Sequence, residues 1–235
     1  MSIVSSRELR ISGLCYLGII ALGLFSEAVV RGSLVVAGDA AATARNIAAH
    51  PQLWRLGLVA DVLTQVLDLP VIVMMWRLLR PVNEPLALTA AGLNLVQTAV
   101  LVANRVQLLA ALDLLGAPPV SAAFLPGQQA ALAMLAVNLH GQGLGIGLVF
   151  FGFSCVICGG LIAASGVLPR ALGWCLAVAG VAYLANSVAL LLAPGWAQWL
   201  FPAVLLPALV GELAFALWLT FKARPVPSHG ARTLA

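Results

Sequence analysis

"GLVADVLTQVLDLP", residues 57–70, is apolar enough to lie in a bilayer, yet it holds two aspartates, Asp61 and Asp68, with Thr64 and Gln65 between them. In a helix, positions i, i+3, i+4 and i+7 share a face, so these four residues make one polar stripe on a greasy rod. A carboxyl group in hydrocarbon is costly and normally faces a bundle interior or a wet cavity. The stretch therefore predicts a helix buried among other helices inside a membrane.

Composition agrees. The chain has 235 residues, 62% hydrophobic and 9% charged, with mean hydropathy +1.05. A soluble domain carries about 25% charged residues, so this chain lacks the polar surface for a soluble globule. Its net charge of +4 does not point to nucleic acid, because no Lys/Arg stripe is present to track phosphates. The basic residues flank the apolar runs instead.

A span needs roughly 20 apolar residues. Such runs lie near 11–30, 53–76, 87–111, 140–164, 170–192 and 200–221, separated by turn chemistry such as "RPVNEP" at 80–85 and "SGVLPR" at 165–170. The expected fold is all-α: a polytopic membrane bundle of six transmembrane helices at 11–221. Residues 1–10 form a short N-terminus, and 222–235 a polar tail with no packed structure expected. Arg7 and Arg10 before an apolar run resemble a signal peptide, but the run continues to Val30, long enough for a retained first helix. With the N-terminus inside, Arg7, Arg10, Arg77, Arg80, Arg170, Lys222, Arg224 and Arg232 collect on the inner side, eight of twelve basic residues. The expected location is the plasma (inner) membrane with both termini cytoplasmic.

The outer connections add two features. Asp39 can cap a short extracytoplasmic helix through "AAATARNIAAH", either a loop anchor or a lid, before Trp54 and Arg55 mark the membrane interface. The 120–139 stretch is a second candidate, as an interfacial or re-entrant helix before the fourth span.

The polar residues within the spans gather in their outer halves. Glu27 and Arg31 are an i, i+4 pair at the end of the first span. Asp61 lies roughly 12 Å and Asp68 roughly 22 Å from the outer start of the second, at 1.5 Å per residue. Gln65 accompanies them; Asn94, Gln97, Asn104 and Arg105 follow on the third span, His140 and Gln142 on the fourth, Tyr183 and Asn186 on the fifth, and Glu212 on the sixth. The expected object is a polar pocket open toward the outside and lined by these fourteen residues. Asp61, Asp68 and Glu212 are the candidate acids or bases; Asp61, nearer the mouth, is expected to be the more functional, and Asp68, deeper, a neutral hydrogen-bond donor to the third or sixth helix. Polar residues in spans also serve as interhelical glue, worth about 0.6 kcal/mol per hydrogen bond.

Other motifs carry less. "CVIC" at 155–158 has redox spacing but sits in an apolar helix, as do Cys15 and Cys175, so small packing residues are the expectation. "HGQGLGIG" at 140–147 fails the dinucleotide fingerprint, and its Gly141/Gly145 and Gly143/Gly147 pairs read as close helix packing. His50, His140 and His229 have no partner at ligand spacing, so neither metal nor cofactor is expected.

The motifs "GDAAATARNIAAHPQLWRLGLVAD", "LLRPVNEPLAL" and "SGVLPRALGWCLAVAGVAYL" resemble a bacterial membrane family, domain of unknown function 4386, over residues 10–220. The resemblance implies a polytopic membrane protein without an established activity, so no catalytic residue carries over. Family members are expected to carry Arg and Glu where this chain has Asn94 and Gln97, which separates it from any mechanism built on that pair. The chain's partner is the lipid bilayer, and three readings remain open. One is binding or transport of a small or amphipathic molecule. Another is an acid/base enzyme of isomerase or cyclase type on a lipid-like substrate. The third is a structural or regulatory membrane partner.

Overall fold

The structure, a computed structural model, describes residues 2–116, 118–222 and 226–227; the side chains of 2–3, 194, 196–205 and 226–227 are not described. Helix dominates, in the order α1 (Ser6–Leu34), α2 (Ala40–Ala49), α3 (Pro51–Leu79), α4 (Glu84–Leu115), α5 (Pro126–Ser165), α6 (Arg170–Leu192) and α7 (Pro194–Phe221). Among the described residues, α1, α3, α4, α5 and α6 are long and apolar enough to cross a bilayer, and α7 contributes the shorter apolar stretch Leu206–Phe221. The protein is a polytopic helical bundle. Ser2–Val4 and Val226–Pro227 add a small antiparallel ribbon.

Local chemistry sets the helix ends. The Ser5 N–H and hydroxyl both donate to the Glu8 carboxylate at 2.8 Å while the Glu8 N–H donates to Ser5 Oγ at 3.2 Å, a reciprocal cap on α1. Asp39 accepts from the Ala42 N–H at 2.8 Å and caps α2 as its sequence predicts. Asn83 accepts from the Leu86 N–H at 3.0 Å at the head of α4. Gly166, at φ +71°, turns the chain between α5 and α6 in a conformation that costs glycine no steric strain.

One expectation is corrected. The 120–139 stretch forms no separate helix: Ser121–Ala123 makes one 3₁₀ turn, and α5 then runs unbroken for 40 residues from Pro126. Proline suits the first helical position, where its missing N–H costs nothing, and the chain has no further proline before 169. At 1.5 Å per residue α5 is about 60 Å long, about twice a hydrocarbon core. Trp54 is buried, and its indole N–H donates to the Leu108 carbonyl at 3.0 Å.

The helices sort into two compact units. Unit 1 comprises Met1–Gly18, Leu67–Ala99 and Gly145–Ala235; unit 2 comprises Ile19–Val66 and Val100–Leu144. In unit 1, α5 and α6 meet backbone to backbone. A Cβ at Gly159 would lie 2.5 Å from the Gly173 carbonyl oxygen, and one at Gly180 would lie 2.6 Å from that of Gly152. The seven-residue step on both helices brings each glycine pair to the same seam. In unit 2, Trp54, Ile47, Val30, Leu34, Leu58 and Leu108 form a buried core. Ile47 pins α2 down there, and Thr43 Oγ1 accepts from the Val36 N–H at 2.9 Å.

Candidate functional site

Unit 2 holds a charged cluster built around Asp61. Between α-helical turns, α1 widens to π-helical winding over Phe25–Arg31, with the Gly32 N–H donating to the Glu27 carbonyl. That i→i+5 winding brings residues five apart onto one face, and such segments recur at functional sites. Here it aligns Ser26 and Arg31. Arg31 Nη1 donates to Asp61 Oδ2 at 2.7 Å and Nη2 to Oδ1 at 3.2 Å, a two-point fork. Ser26 Oγ donates to Asp61 Oδ1 at 2.7 Å, and Arg31 Nε donates to Glu27 at 2.8 Å.

A second guanidinium completes the cluster. Arg105 Nη2 lies 3.7 Å from Asp61 Oδ1, and Nη1 is 3.1 Å from His140 Nε2. An arginine can only donate, so His140 offers that nitrogen as an acceptor. Asn104 Nδ2 donates to the His140 carbonyl at 2.8 Å. Both Asp61 oxygens are engaged by cations or hydroxyl, which leaves this carboxylate little capacity for a further ligand. Below it, Thr64 Oγ1 donates to the Asp61 carbonyl at 2.7 Å and Gln65 Nε2 to Thr64 Oγ1 at 2.9 Å. Three of the four stripe residues, Asp61, Thr64 and Gln65, are thus connected, and Asp68 is not part of that chain.

Unit 1 holds the other aspartate, in a cleft. One face of each of three helices lines it: Asp68, Val71, Ile72, Met75, Trp76 and Leu79 of α3; Ala87, Ala90, Ala91 and Asn94 of α4; Phe151, Ser154, Cys155 and Cys158 of α5. Those steps of three and four are helical faces. Tyr16, Leu176 and Phe215 complete the lining. Alanines on α4 keep the space open, and Ser154 spends its hydroxyl on the Ala90 carbonyl at 2.9 Å. Thr98 Oγ1 donates to Asp68 Oδ2 at 3.0 Å, and Asn94 is its other side-chain partner. Two buried lining atoms, Asn94 Oδ1 and Trp76 Nε1, have no hydrogen-bond partner among the described residues.

The remaining predicted residues fall elsewhere. Tyr183 Oη donates to Glu212 Oε1 at 2.8 Å, a buried pair between α6 and α7. Asn186 is buried with its amide oxygen unpartnered, as is that of Gln97. Gln142 and Glu27 are exposed. Of the fourteen residues read as pocket-lining, Asp68 and Asn94 line the cleft, while Glu27, Arg31, Asp61, Asn104, Arg105 and His140 join the charged cluster.

Sequence reasoning notes Ser26 beside Glu27 and Arg31 without making it a lining residue, and passes over Tyr16, Trp76, Ser154 and Phe215. Ser26 is one hydroxyl in an apolar run, and only its five-residue step to Arg31 and a local π winding make it a partner. The aromatic lining comes from helices remote in sequence, which periodicity within one helix does not bring together. Cys155 and Cys158 share the α5 face through their own i, i+3 step, are free thiols, and act as lining.

Among the described residues, no cluster of His, Cys, Asp or Glu is arranged to hold a metal ion. No curated protein and no solved structure matches the chain. The family described as Domain of unknown function (DUF4386) matches residues 11–223, nearly the whole bundle. The chain is therefore a member of the DUF4386 family.

Proposed function

We propose that this multi-pass protein binds a small amphipathic molecule in the cleft at Asp68. The carrying observation is the lining itself: a mostly apolar wall with few polar points, among them a carboxyl, an unpartnered amide oxygen and an unpartnered indole N–H. Ligand pockets are built that way, with apolar surface for affinity and a handful of polar groups for orientation. This reading gives the working role to Asp68 and a structural one to Asp61, whose oxygens are already taken.

The distribution of basic residues favours a bacterial inner-membrane protein with both termini cytoplasmic, and the pairing of Ser2–Val4 with Val226–Pro227 supports termini on one side. In that orientation the cleft, which flanks the 80–83 turn through Leu79 and Ala87, belongs to the cytoplasmic side rather than the outer one. Reporter fusions after residues 84 and 168 should read cytoplasmic, and one after residue 120 external.

The test of binding is native mass spectrometry on protein extracted in mild detergent. Wild type should retain a small molecule that Ala91→Phe, which fills the cleft, releases without loss of thermal stability. Retention of the same molecule by a folded Ala91→Phe protein would place binding elsewhere.

A further inference from the structure

We infer that the cleft takes an amphipathic amine, with its protonated head against Asp68 and its hydrocarbon tail along Val71, Ile72, Leu79 and Leu176. This rests on the binding reading above and specifies its ligand. The two aspartates of α3 show what Asp68 lacks. Asp61 has guanidinium groups at 2.7 and 3.7 Å. Asp68 forms no salt bridge with a described residue, and its side-chain partners, Thr98 and Asn94, are neutral. Among the described residues, the cleft lining contains no Lys, Arg or His.

A carboxylate in apolar surroundings calls for a compensating charge. Of the two unpartnered lining atoms, Asn94 Oδ1 makes a demand of the same sign, as a buried acceptor with no donor among the described residues, while Trp76 Nε1 is a donor. A single group with a positive charge and several N–H donors answers both acceptors, and a primary ammonium is that group. The aromatic residues Tyr16, Phe151 and Phe215 add lining that tolerates a cation, whereas the Trp76 ring already carries the Arg80 guanidinium 4.9 Å from its centroid. An anionic head meets the Asp68 carboxylate and the Asn94 amide oxygen, with only the neutral Trp76 N–H to set against them. A neutral alcohol supplies one donor and leaves the charge unanswered.

The experiment is calorimetric titration of the full-length protein in detergent with decylamine, decan-1-ol and decanoate at neutral pH. Decylamine should bind at least tenfold more tightly than decan-1-ol, and decanoate should not bind. Asp68→Asn should weaken decylamine at least tenfold and leave decan-1-ol unchanged. Asn94→Lys, which places an internal ammonium beside Asp68, should abolish the preference for the amine without lowering thermal stability. Equal affinities for amine and alcohol, or an unchanged amine affinity in Asp68→Asn, would overturn the cation assignment while leaving the cleft as a binding site. Failure of all three probes to bind wild type would overturn both readings.

Discussion

Asp61 and Asp68 stand two helical turns apart on α3, and the two units they belong to treat them in opposite ways. Unit 2 surrounds Asp61 with two arginines, a serine and, through Arg105, a histidine. Unit 1 gives Asp68 a threonine, an asparagine and a cleft walled by aliphatic and aromatic side chains. A charge answered from within the protein is structure, whereas one left unanswered beside open space is available for a ligand. The same residue type on the same helix thus takes two roles according to what the neighbouring helices bring.

The strongest way to break this contrast is to remove the pairing in unit 2. Arg31→Ala strands Asp61 with a weaker partner at 3.7 Å and leaves Ser26 and Glu27 without their shared donor. Breaking a buried pair by deleting one partner costs about 3–5 kcal/mol. Thermal unfolding in detergent should fall sharply for Arg31→Ala and for Asp61→Leu, whereas Asp68→Asn should shift it by less than about 1 kcal/mol, the scale of one hydrogen bond. Equal losses at Asp61 and Asp68 would make both aspartates structural.

The helix seam of unit 1 ranks next. Gly159→Leu drives a side chain into the Gly173 carbonyl and the Ala177 backbone N, neither of which can move without separating α5 from α6. Overpacking costs about 1–3 kcal/mol, and the loss should show as a lowered midpoint. Gly141→Leu, with nothing within 4 Å of its Cβ direction, is the control and should be silent. If the control is equally damaging, helix propensity or lipid contact governs, not the seam.

How far the sequence carried these conclusions depends on the range of the interaction. Periodicity within a helix exposed the Asp61–Asp68 stripe, and loop chemistry exposed the caps at Asp39 and the turn before α4. Depth along the span hinted that Asp61 has a charged partner and Asp68 has none, but which aspartate does the work was not legible, because it depends on how Arg31, Arg105 and Thr98 arrive from other helices. The π winding of Phe25–Arg31 was hidden for a different reason: a local change in helical step leaves no periodic trace in seven residues. Glycine spacing was legible but was first read at 141–147. The backbone contacts described above fall at Gly152 and Gly159, while Gly143 meets the Asn104 amide and Gly145 the Leu190 side chain.

Trp54 offers a smaller and sharper test within unit 2. Its indole N–H donates to the Leu108 carbonyl, tying α3 to α4 beside the core that also holds α2. Trp54→Phe removes that bond and part of the ring, at a cost of about 1–2 kcal/mol. Hydrogen exchange should quicken in α2 and the facing turns of α3 and α4, with the α5–α6 seam unchanged. Uniform acceleration through both units would show that they do not open independently.

The smallest effect is expected at Glu27, and it decides whether the charge balance of unit 2 lies inside or at the surface. Glu27 holds Arg31 Nε at 2.8 Å, but its side chain is 49% exposed, against 3% for Asp61 on the other side of the same guanidinium. Solvent screens the Glu27 contact, and i, i+4 pairs of this kind contribute about 0.3–0.5 kcal/mol. Glu27→Gln keeps an acceptor for Nε and removes only the charge, so its unfolding midpoint should stay within that margin of wild type and move little with added salt. Asp61→Asn makes the equivalent change in the buried position and should lose several times more. A Glu27→Gln loss as large as that of Asp61→Asn would mean that Arg31 is balanced mainly from the surface. Asp61 would then be nearly as short of a counter-charge as Asp68, and the distinction between the two aspartates would fail at its root.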